Sequence, residues 1–340
     1  MKRIVSICLL LCLLLCGCAA DQPVEQKQYT ATFLDLFDTV TTVMGMAESE
    51  ADFTDRAQAI HDDLLHYHQL FDIYQEYADI NNLNTVNDQA GNAPVQVAPE
   101  IIQLLKACKE YYTLTNGKVN AAMGSVLQLW HRARADGIRD PMHATLPSLD
   151  SLQNAALHTD FEDVLIDEAA STVFITDPHT QLDVGAIAKG WATQKAAEAA
   201  PSGMLISVGG NVCATGPKTA DGTRWVIGIQ DPDSDSNLHT VYLSKGAVVT
   251  SGDYQRTYTV AGEKYHHIID PDTCMPAKYW RSVTVVCPDS GLADALSTAL
   301  FLLPHSEGEK LLSQCDAEGF WLDHSGTEYM TPGFREIIRT

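Results

Sequence analysis

The chain has 340 residues, 45% of them apolar, enough for one large domain or two closely fused ones with a real core. Its 44 acidic and 22 basic residues leave a formal charge of −22, a surface that repels phosphate backbones and argues against nucleic acid as a partner. An anionic small molecule would need local help on such a chain, from a metal or from backbone amides.

The first residues, Lys2 and Arg3, precede an apolar run from Ile4 to Cys16 and then Gly17-Cys18-Ala-Ala20. About 12 apolar residues are too few to cross a hydrocarbon core of ~30 Å, so the run reads as the h-region of a signal peptide. Leu15-Cys16-Gly17-Cys18 looks like a bacterial lipobox. That likeness implies a signal over residues 1–17, lipid on Cys18, a polar tether to residue 30 and a folded body over 31–340. The body would then sit on the outer face of the cytoplasmic membrane. An ordinary cleaved signal or an uncleaved anchor is the alternative. Cys8, Cys12 and Cys16 leave with the signal. The remaining Cys108, Cys213, Cys274, Cys287 and Cys315 hold no C-x-x-C pair, so neither a zinc site nor a dense disulfide framework is indicated, and one disulfide stays open.

Further along, Phe33–Met46 alternates Thr and Val with apolar residues and predicts a strand. Ala57, Ile60, Leu64, Leu65 and Leu70 give Ala51–Phe71 helical spacing, and Asn81–Pro94 has loop composition. Pro99 opens a helix to about Leu114, with proline in the tolerated first turn. Gly124–Arg134 predicts another helix, and Ala135–Pro147 an exposed connection. The second half is denser in strands, at Val164–Ile166, Val173–Thr176, Leu182–Val184, Leu205–Val208, Trp225–Gln230, Thr240–Leu243, Val248–Thr250 and Val283–Cys287. Helices are expected over Ala186–Ala200 and Leu292–Leu303. This mixed order predicts an α+β fold, a mostly antiparallel sheet flanked by helices. No G-x-G-x-x-G follows a first strand, so a Rossmann domain is not indicated.

Four segments carry chemistry. In Asp183-Val-Gly-Ala-Ile-Ala-Lys-Gly190 a strand ends at an acid and a helix begins at once, where outward amides and Lys189 favour an anion. The bland reading is a capped strand-to-helix turn. Ser207-Val-Gly-Gly-Asn-Val212 exposes amides through two glycines, or is a simple bulge. Thr250-Ser-Gly-Asp-Tyr-Gln-Arg256 and Tyr265-His-His-Ile-Ile-Asp-Pro271 predict a hairpin turned at Ala261-Gly262, which brings two histidines near a Ser-Gly-Asp loop. A histidine there relays protons or binds phosphate. In Asp289-Ser-Gly-Leu-Ala-Asp-Ala-Leu-Ser-Thr-Ala-Leu300, Asp294 and Thr298 share a helical face at i and i+4, with Ser297 at i+3. Hard oxygens so placed suit Mg²⁺, which completes its shell with waters and substrate phosphates. Helix capping is the alternative.

In this order, Asp183…Lys189-Gly190, Val208-Gly-Gly210, Thr250-Ser-Gly-Asp-Tyr254, His267-Ile-Ile-Asp-Pro271 and Asp294-Ala-Leu-Ser-Thr298 resemble the ApbE-type flavin transferases, the FAD:protein FMN transferases. The likeness runs from Thr41-Thr-Val-Met-Gly45 to about Leu303. It implies an ApbE-like fold and Mg-dependent transfer of FMN from FAD to a Thr or Ser hydroxyl of an acceptor protein, with AMP released. It also implies a metal on Ala186 (carbonyl), Asp294 and Thr298, with Ser297 where relatives carry an acid, and catalytic roles for His267 and Asp294. Flavin contacts are implied at Met44, Tyr74, Lys118, Val119, Asn120, Asp183, Lys189 and Ile269. Thr115-Asn-Gly-Lys-Val-Asn120 departs from the family's small-residue-then-acid pattern, and Cys274 stands where glycine is usual. Acceptors implied by the likeness are subunits of Rnf-type or sodium-pumping NADH:quinone reductase complexes. A flavin-binding lipoprotein without transfer, an Mg-dependent FAD pyrophosphatase and a solute-binding lipoprotein are the rival readings.

Overall fold

Short β-branched runs broken by Gly, Asp and Pro become strands, and eight of them build one sheet. They are β1 (Lys27–Leu36), β2 (Thr39–Ala47), β3 (Met204–Val208), β4 (Asn211–Ala214), β5 (Gly246–Gly252), β6 (Trp280–Cys287), β7 (Glu318–Asp323) and β8 (Glu328–Met330). Each lies antiparallel beside the next in chain order, so the sheet is a meander with long excursions between some of its strands. The structure, a computed structural model, describes residues 26–339. The signal segment, the lipobox and Cys18 lie outside the described residues. Among the described residues no helix is long and apolar enough to cross a membrane.

Both faces of the sheet are covered. On one lie α1 (Glu50–Phe71), α2 (Pro99–Leu114), α4 (Ala188–Ala199) and α5 (Ser290–Phe301), with α3 (Gly124–Arg139) further out. Val43, Ile206, Val249 and Val285 share this core with Leu64 of α1, Ala192 of α4 and Leu296 of α5. On the other face the hairpin Trp225–Gln230/Asn237–Leu243 and the helix Pro332–Ile337 bury Trp225, Ile227 and Phe334 against Leu205, Val248 and Phe320. Each fully buried side chain of this size contributes roughly 1.5–3 kcal/mol. Two-sided burial is why β5 and β6 lose apolar/polar alternation: Ala247-Val-Val249 and Val283-Thr-Val285 are buried without a break.

Several sequence expectations shift. Phe33–Met46 is not one strand but the β1–β2 hairpin, turned at Phe37 and Asp38 with φ of 51° and 52°. Two left-handed residues match the strand twist, yet Phe-Asp lacks the Asn-Gly signature that announces such turns. The expected loop at Asn81–Pro94 holds a short helix, Leu83–Asp88, capped by the Asn82 side chain. α3 runs past Arg134 to Arg139, so the exposed connection begins later. Leu182–Val184 is not a ladder strand; its Asp183 amide donates to the Ala121 carbonyl at 2.8 Å. The hairpin Thr257–Val260/Glu263–His266 turns at Ala261-Gly262 as expected, and Tyr258 shares a small core with Trp130 and Val126 of α3.

All five described cysteines are free, and all but Cys315 are buried. Cys213 on β4 and Cys287 on β6 both lie level with Ala247 of the strand between them. Burial, the largest cause, pushes their thiols up to about 12 and about 11.

α4 crosses α5 at Gly190, where an added Cβ would stand 2.4 Å from both Asp294 Cβ and the Ser290 carbonyl. Backbone cannot yield as a side chain can. Gly190→Ala is therefore expected to lower stability by about 1–3 kcal/mol, read as the denaturation midpoint. An unchanged midpoint would show that this crossing is looser than described.

Candidate functional site

The start of β2, the Gly209-Gly210 turn, the end of β5 and the first turns of α4 meet the outer module of α3 and its hairpin. Between them lies a cavity of about 810 Å³, in the upper range for cofactor sites. β3 and β4 join through Gly209 and Gly210 with φ of 57° and 93°, and Val208 pairs with Asn211. That tight turn delivers the Asn211 side chain to the cavity.

Asp294 is the fixed point. Its Oδ2 accepts from the Gly190 amide at 2.9 Å and the Asn211 side-chain amide at 2.8 Å, with Lys189 Nζ 3.7 Å away. Its Oδ1 takes no hydrogen bond among the described residues, and the residue lines the cavity. The capping alternative fails, because the N-cap of α5 is Asp289, whose Oδ1 accepts from Leu292 N at 2.7 Å. Asp294 sits in the second turn, with Thr298 one turn on and also lining the cavity. Ser297 turns elsewhere: fully buried, its hydroxyl donates to the Asp294 carbonyl at 3.0 Å and meets Ser251 Oγ at 2.8 Å. Ala186 lines the cavity beside Asp183, whose Oδ1 accepts from Gly185 N at 2.9 Å. At this strand-to-helix turn the Gly185 and Gly190 amides serve carboxylates of the chain itself. Asp183 Oδ2 is buried with no hydrogen-bond partner.

The two histidines divide their work. His266 Nε2 donates to the Ala277 carbonyl at 2.8 Å and its Nδ1 accepts from Ile268 N at 3.2 Å, so both nitrogens are spent on the hairpin. His267 lines the cavity, and its Nδ1 is buried without a partner. Burial first, then the charges of Arg256 and Lys189, hold its pKa well below the ordinary 6.5. It is a neutral imidazole at pH 7, able to accept a proton.

Tyr74 stands exposed at the cavity mouth, its hydroxyl 2.9 Å from His131 Nδ1. Burial of the phenolic group and the Asp183 charge raise the Tyr74 pKa. His131 Nε2 lies 3.9 Å from Asp183 Oδ2, and burial lowers the His131 pKa despite that carboxylate. Lys118 lines the cavity too, but its Nζ bonds Asp270 at 2.9 Å and Asp272 at 2.7 Å and straps the Asp-Pro turn down. Burial works against its charge, and the two aspartates prevail and raise its pKa. Asn120 spends its side chain on Thr159 O and Ala122 N. Val119 and Ile269 line the cavity as apolar walls, and Lys189 Nζ donates to Gly185 O at 3.1 Å.

Met44 is not brought to the cavity. Val40 and Thr42, on the same face of β2, line it; Met44 is about 7 Å further along and packs into the opposite core with Gln28 against its sulfur. The sequence reading did not single out His131, Asn211 or Arg256. Asn211 follows the Gly-Gly pair directly, and Arg256 closes the Thr250 motif. His131 carries no local signal, since its partner Tyr74 is 57 residues away.

A cavity of this size with oxygen donors at one end, cations beside them and an aromatic face at its mouth belongs to an α+β protein that binds an anionic, ring-bearing ligand. Comparison makes the class specific. The sequence profile of the ApbE family matches residues 31–321, and the chain belongs to the ApbE family. An FAD:protein FMN transferase of Treponema pallidum (strain Nichols) is 34% identical over 255 residues, 69% of this chain and 68% of the relative. One of Klebsiella pneumoniae (strain 342) is 31% identical over 260 residues, 72% and 78% of the two chains. The crystal structure of an ApbE protein from Thermotoga maritima superposes with a TM-score of 0.81 at 30% identity, over 92% of this chain and all of that one. The Vibrio cholerae flavin transferase ApbE, at 21% identity and a TM-score of 0.75, shares the fold over 92% of this chain and 100% of its own.

The neutral His267 has a measurable consequence. Its folded pKa lies below its unfolded value, so stability is fully present above 6.5 and falls as pH drops through that value toward the folded pKa. The slope is at most about 1.4 kcal/mol per pH unit for one group. Denaturation midpoints between pH 7.5 and 5 are expected to fall less steeply in His267→Gln than in the parent. Equal slopes would mean that His267 is solvated.

Proposed function

We propose that this chain transfers FMN from FAD to a Ser or Thr hydroxyl of an acceptor protein and releases AMP. The observation that carries this reading is the pinned Asp294, one oxygen held and one free, in the same cavity as a neutral His267. Its family relatives named FAD:protein FMN transferase support it.

The donors present fit a hard divalent cation. Among the described residues no three His, Cys, Asp or Glu side chains cluster as an all-protein metal cage. One free carboxylate oxygen with a hydroxyl and a carbonyl is how Mg²⁺ is held when substrate phosphates complete its shell. Asp294, Thr298 and the Ala186 carbonyl would hold Mg²⁺, which supplies Lewis-acid relief of the charge on a diphosphate. The chain's own groups do the rest. Tyr74 offers its ring to the flavin, and Lys189 adds a positive charge beside Asp294. His267 takes the proton of the acceptor hydroxyl as that oxygen bonds to the flavin-side phosphorus. The bridging P–O bond breaks and its electron pair leaves with AMP.

The lipobox reading supports lipid attachment at Cys18 and a site of action on the outer face of the cytoplasmic membrane. Flavin-bearing subunits of Rnf-type or sodium-pumping NADH:quinone reductase complexes are the acceptors we propose there, by family likeness.

Mass spectrometry of an acceptor domain incubated with FAD, Mg²⁺ and the protein tests the reading directly. A mass gain of one FMN is expected, and His267→Gln should slow it about 10²–10⁴-fold. Asp294→Ala should abolish it while flavin still binds. AMP release at the same rate with and without acceptor, with no mass gain, would make the protein an FAD pyrophosphatase instead.

A further inference from the structure

A protein transferase must admit a second protein as well as a nucleotide, so the border of the cavity mouth decides what can dock. Among the described residues β1 is the outermost strand of the sheet, and its far edge pairs with no other strand. It pairs regularly with β2 from Lys27 to Phe33, and its register shift lies between Phe33 and Leu36, next to the tip. Between Lys27 and Asp35 the strand carries no charge and no proline. Charges, prolines and bulges ordinarily guard a sheet edge, because its unpaired N–H and C=O groups accept another strand. Most of this edge has no such guard, in a chain with 44 acidic and 22 basic residues.

The edge leads to the cavity. Thr32 of β1 pairs with Thr42 of β2, and Thr42 and Val40 line the cavity. Thr30, Thr32 and Leu34 alternate onto that same face and are all exposed, Leu34 at 76%. Val40, itself 53% exposed, carries the surface on to the mouth. On the other face Tyr29, Ala31 and Phe33 form a groove of about 170 Å³ with Phe53, Ala57 and Gln58 of α1. Free backbone groups, an apolar residue on one face and a groove on the other are what an added strand requires: main-chain bonds for affinity, alternate side-chain contacts for specificity.

Continuity with the cavity points to the occupant. A strand laid along β1 lies about 10 Å from Thr42, two strand spacings away, and a few residues at ~3.3 Å each carry its end over the mouth. The reacting Ser or Thr hydroxyl has to enter that mouth. An extended segment can follow its hydroxyl inward, whereas a helix of about 10–12 Å diameter is held outside. We propose that an extended segment of the acceptor protein adds to the free edge of β1, with an apolar side chain on Leu34 and its hydroxyl-bearing end turned into the cavity. This docking rests on the transfer reading above and supplies its acceptor side.

The test measures FMN transfer by the full chain, varying the acceptor domain and FAD in turn. Leu34→Glu puts a charge where the partner's apolar side chain would rest. It is expected to raise the KM for the acceptor about 10-fold while kcat and the KM for FAD hold, and Leu34→Met should restore the parent value. Met142→Glu, at a still more exposed apolar position beyond the end of α3, should change neither KM. Strand addition has its own signature in binding, read by calorimetry without metal or FAD. The probe is a peptide copy of the acceptor segment that mass spectrometry shows to carry FMN. A copy N-methylated at one set of alternate residues should bind, and a copy methylated at the other set should not, because only one edge of the peptide faces β1. An unchanged acceptor KM in Leu34→Glu overturns the docking, as does a rise in Met142→Glu in its place. Equal binding of the two methylated peptides overturns strand addition. A parent dimer that Leu34→Glu separates, with the acceptor KM unmoved, gives the edge to a second copy of this chain instead. Absence of FMN transfer by the parent takes down the transfer reading and the docking with it, and is seen before any variant is made.

Discussion

The site depends on a single carboxylate held by two backbone-positioned amides. A buried aspartate is costly unless its oxygens are bonded, and hydrogen bonds to a charged group are worth about 1.5–3 kcal/mol each. Gly190 on α4 and Asn211 at the head of β4 bond one oxygen of Asp294 and leave the other free. The arrangement makes demands on residues far away in sequence. Gly190 must lack a side chain because Asp294 Cβ and Ser290 O occupy the space a Cβ would need. Asn211 reaches its place because the two glycines before it adopt left-handed backbone. Motifs scattered over more than a hundred residues are therefore parts of one clasp.

Charge is managed in the same local way. A net charge of −22 sets an unfavourable field for any anion at long range. That field is screened over roughly 8–10 Å at physiological salt, so groups inside the cavity decide. Lys189 and Arg256 line it, and the Lys118 charge is diverted to Asp270 and Asp272. A polyanionic ligand is thus received by a few placed cations on an acidic body.

How much of this was legible in the sequence follows from the range of each interaction. The pairing of Asp294 with Thr298 was, because helical spacing alone puts i and i+4 together. The α+β class, the antiparallel sheet and the hairpin at Ala261-Gly262 were legible for the same reason: local turn residues and short β-branched runs mark them. The turn at Phe37-Asp38 was not, since its dipeptide has no turn signature. Ser297 misled because two hydroxyls near one helical face can point to different neighbours, and only the packing of Ser251 decides. Met44 misled because a strand face continues beyond the cavity it helps to line. The links Tyr74–His131 and Lys118–Asp270 span 57 and 152 residues, and no periodic pattern reports contacts of that length.

The free thiols carry a consequence of another kind. Cys213 and Cys287 sit on strands either side of β5, buried, with pKa values near 12 and 11. Thiolate is the form that reacts with oxidants and disulfides, and almost none exists at such values near neutral pH. The fold therefore holds its shape without covalent staples and gives oxidants little to attack. Among the described residues there is thus no disulfide for a reductant to break.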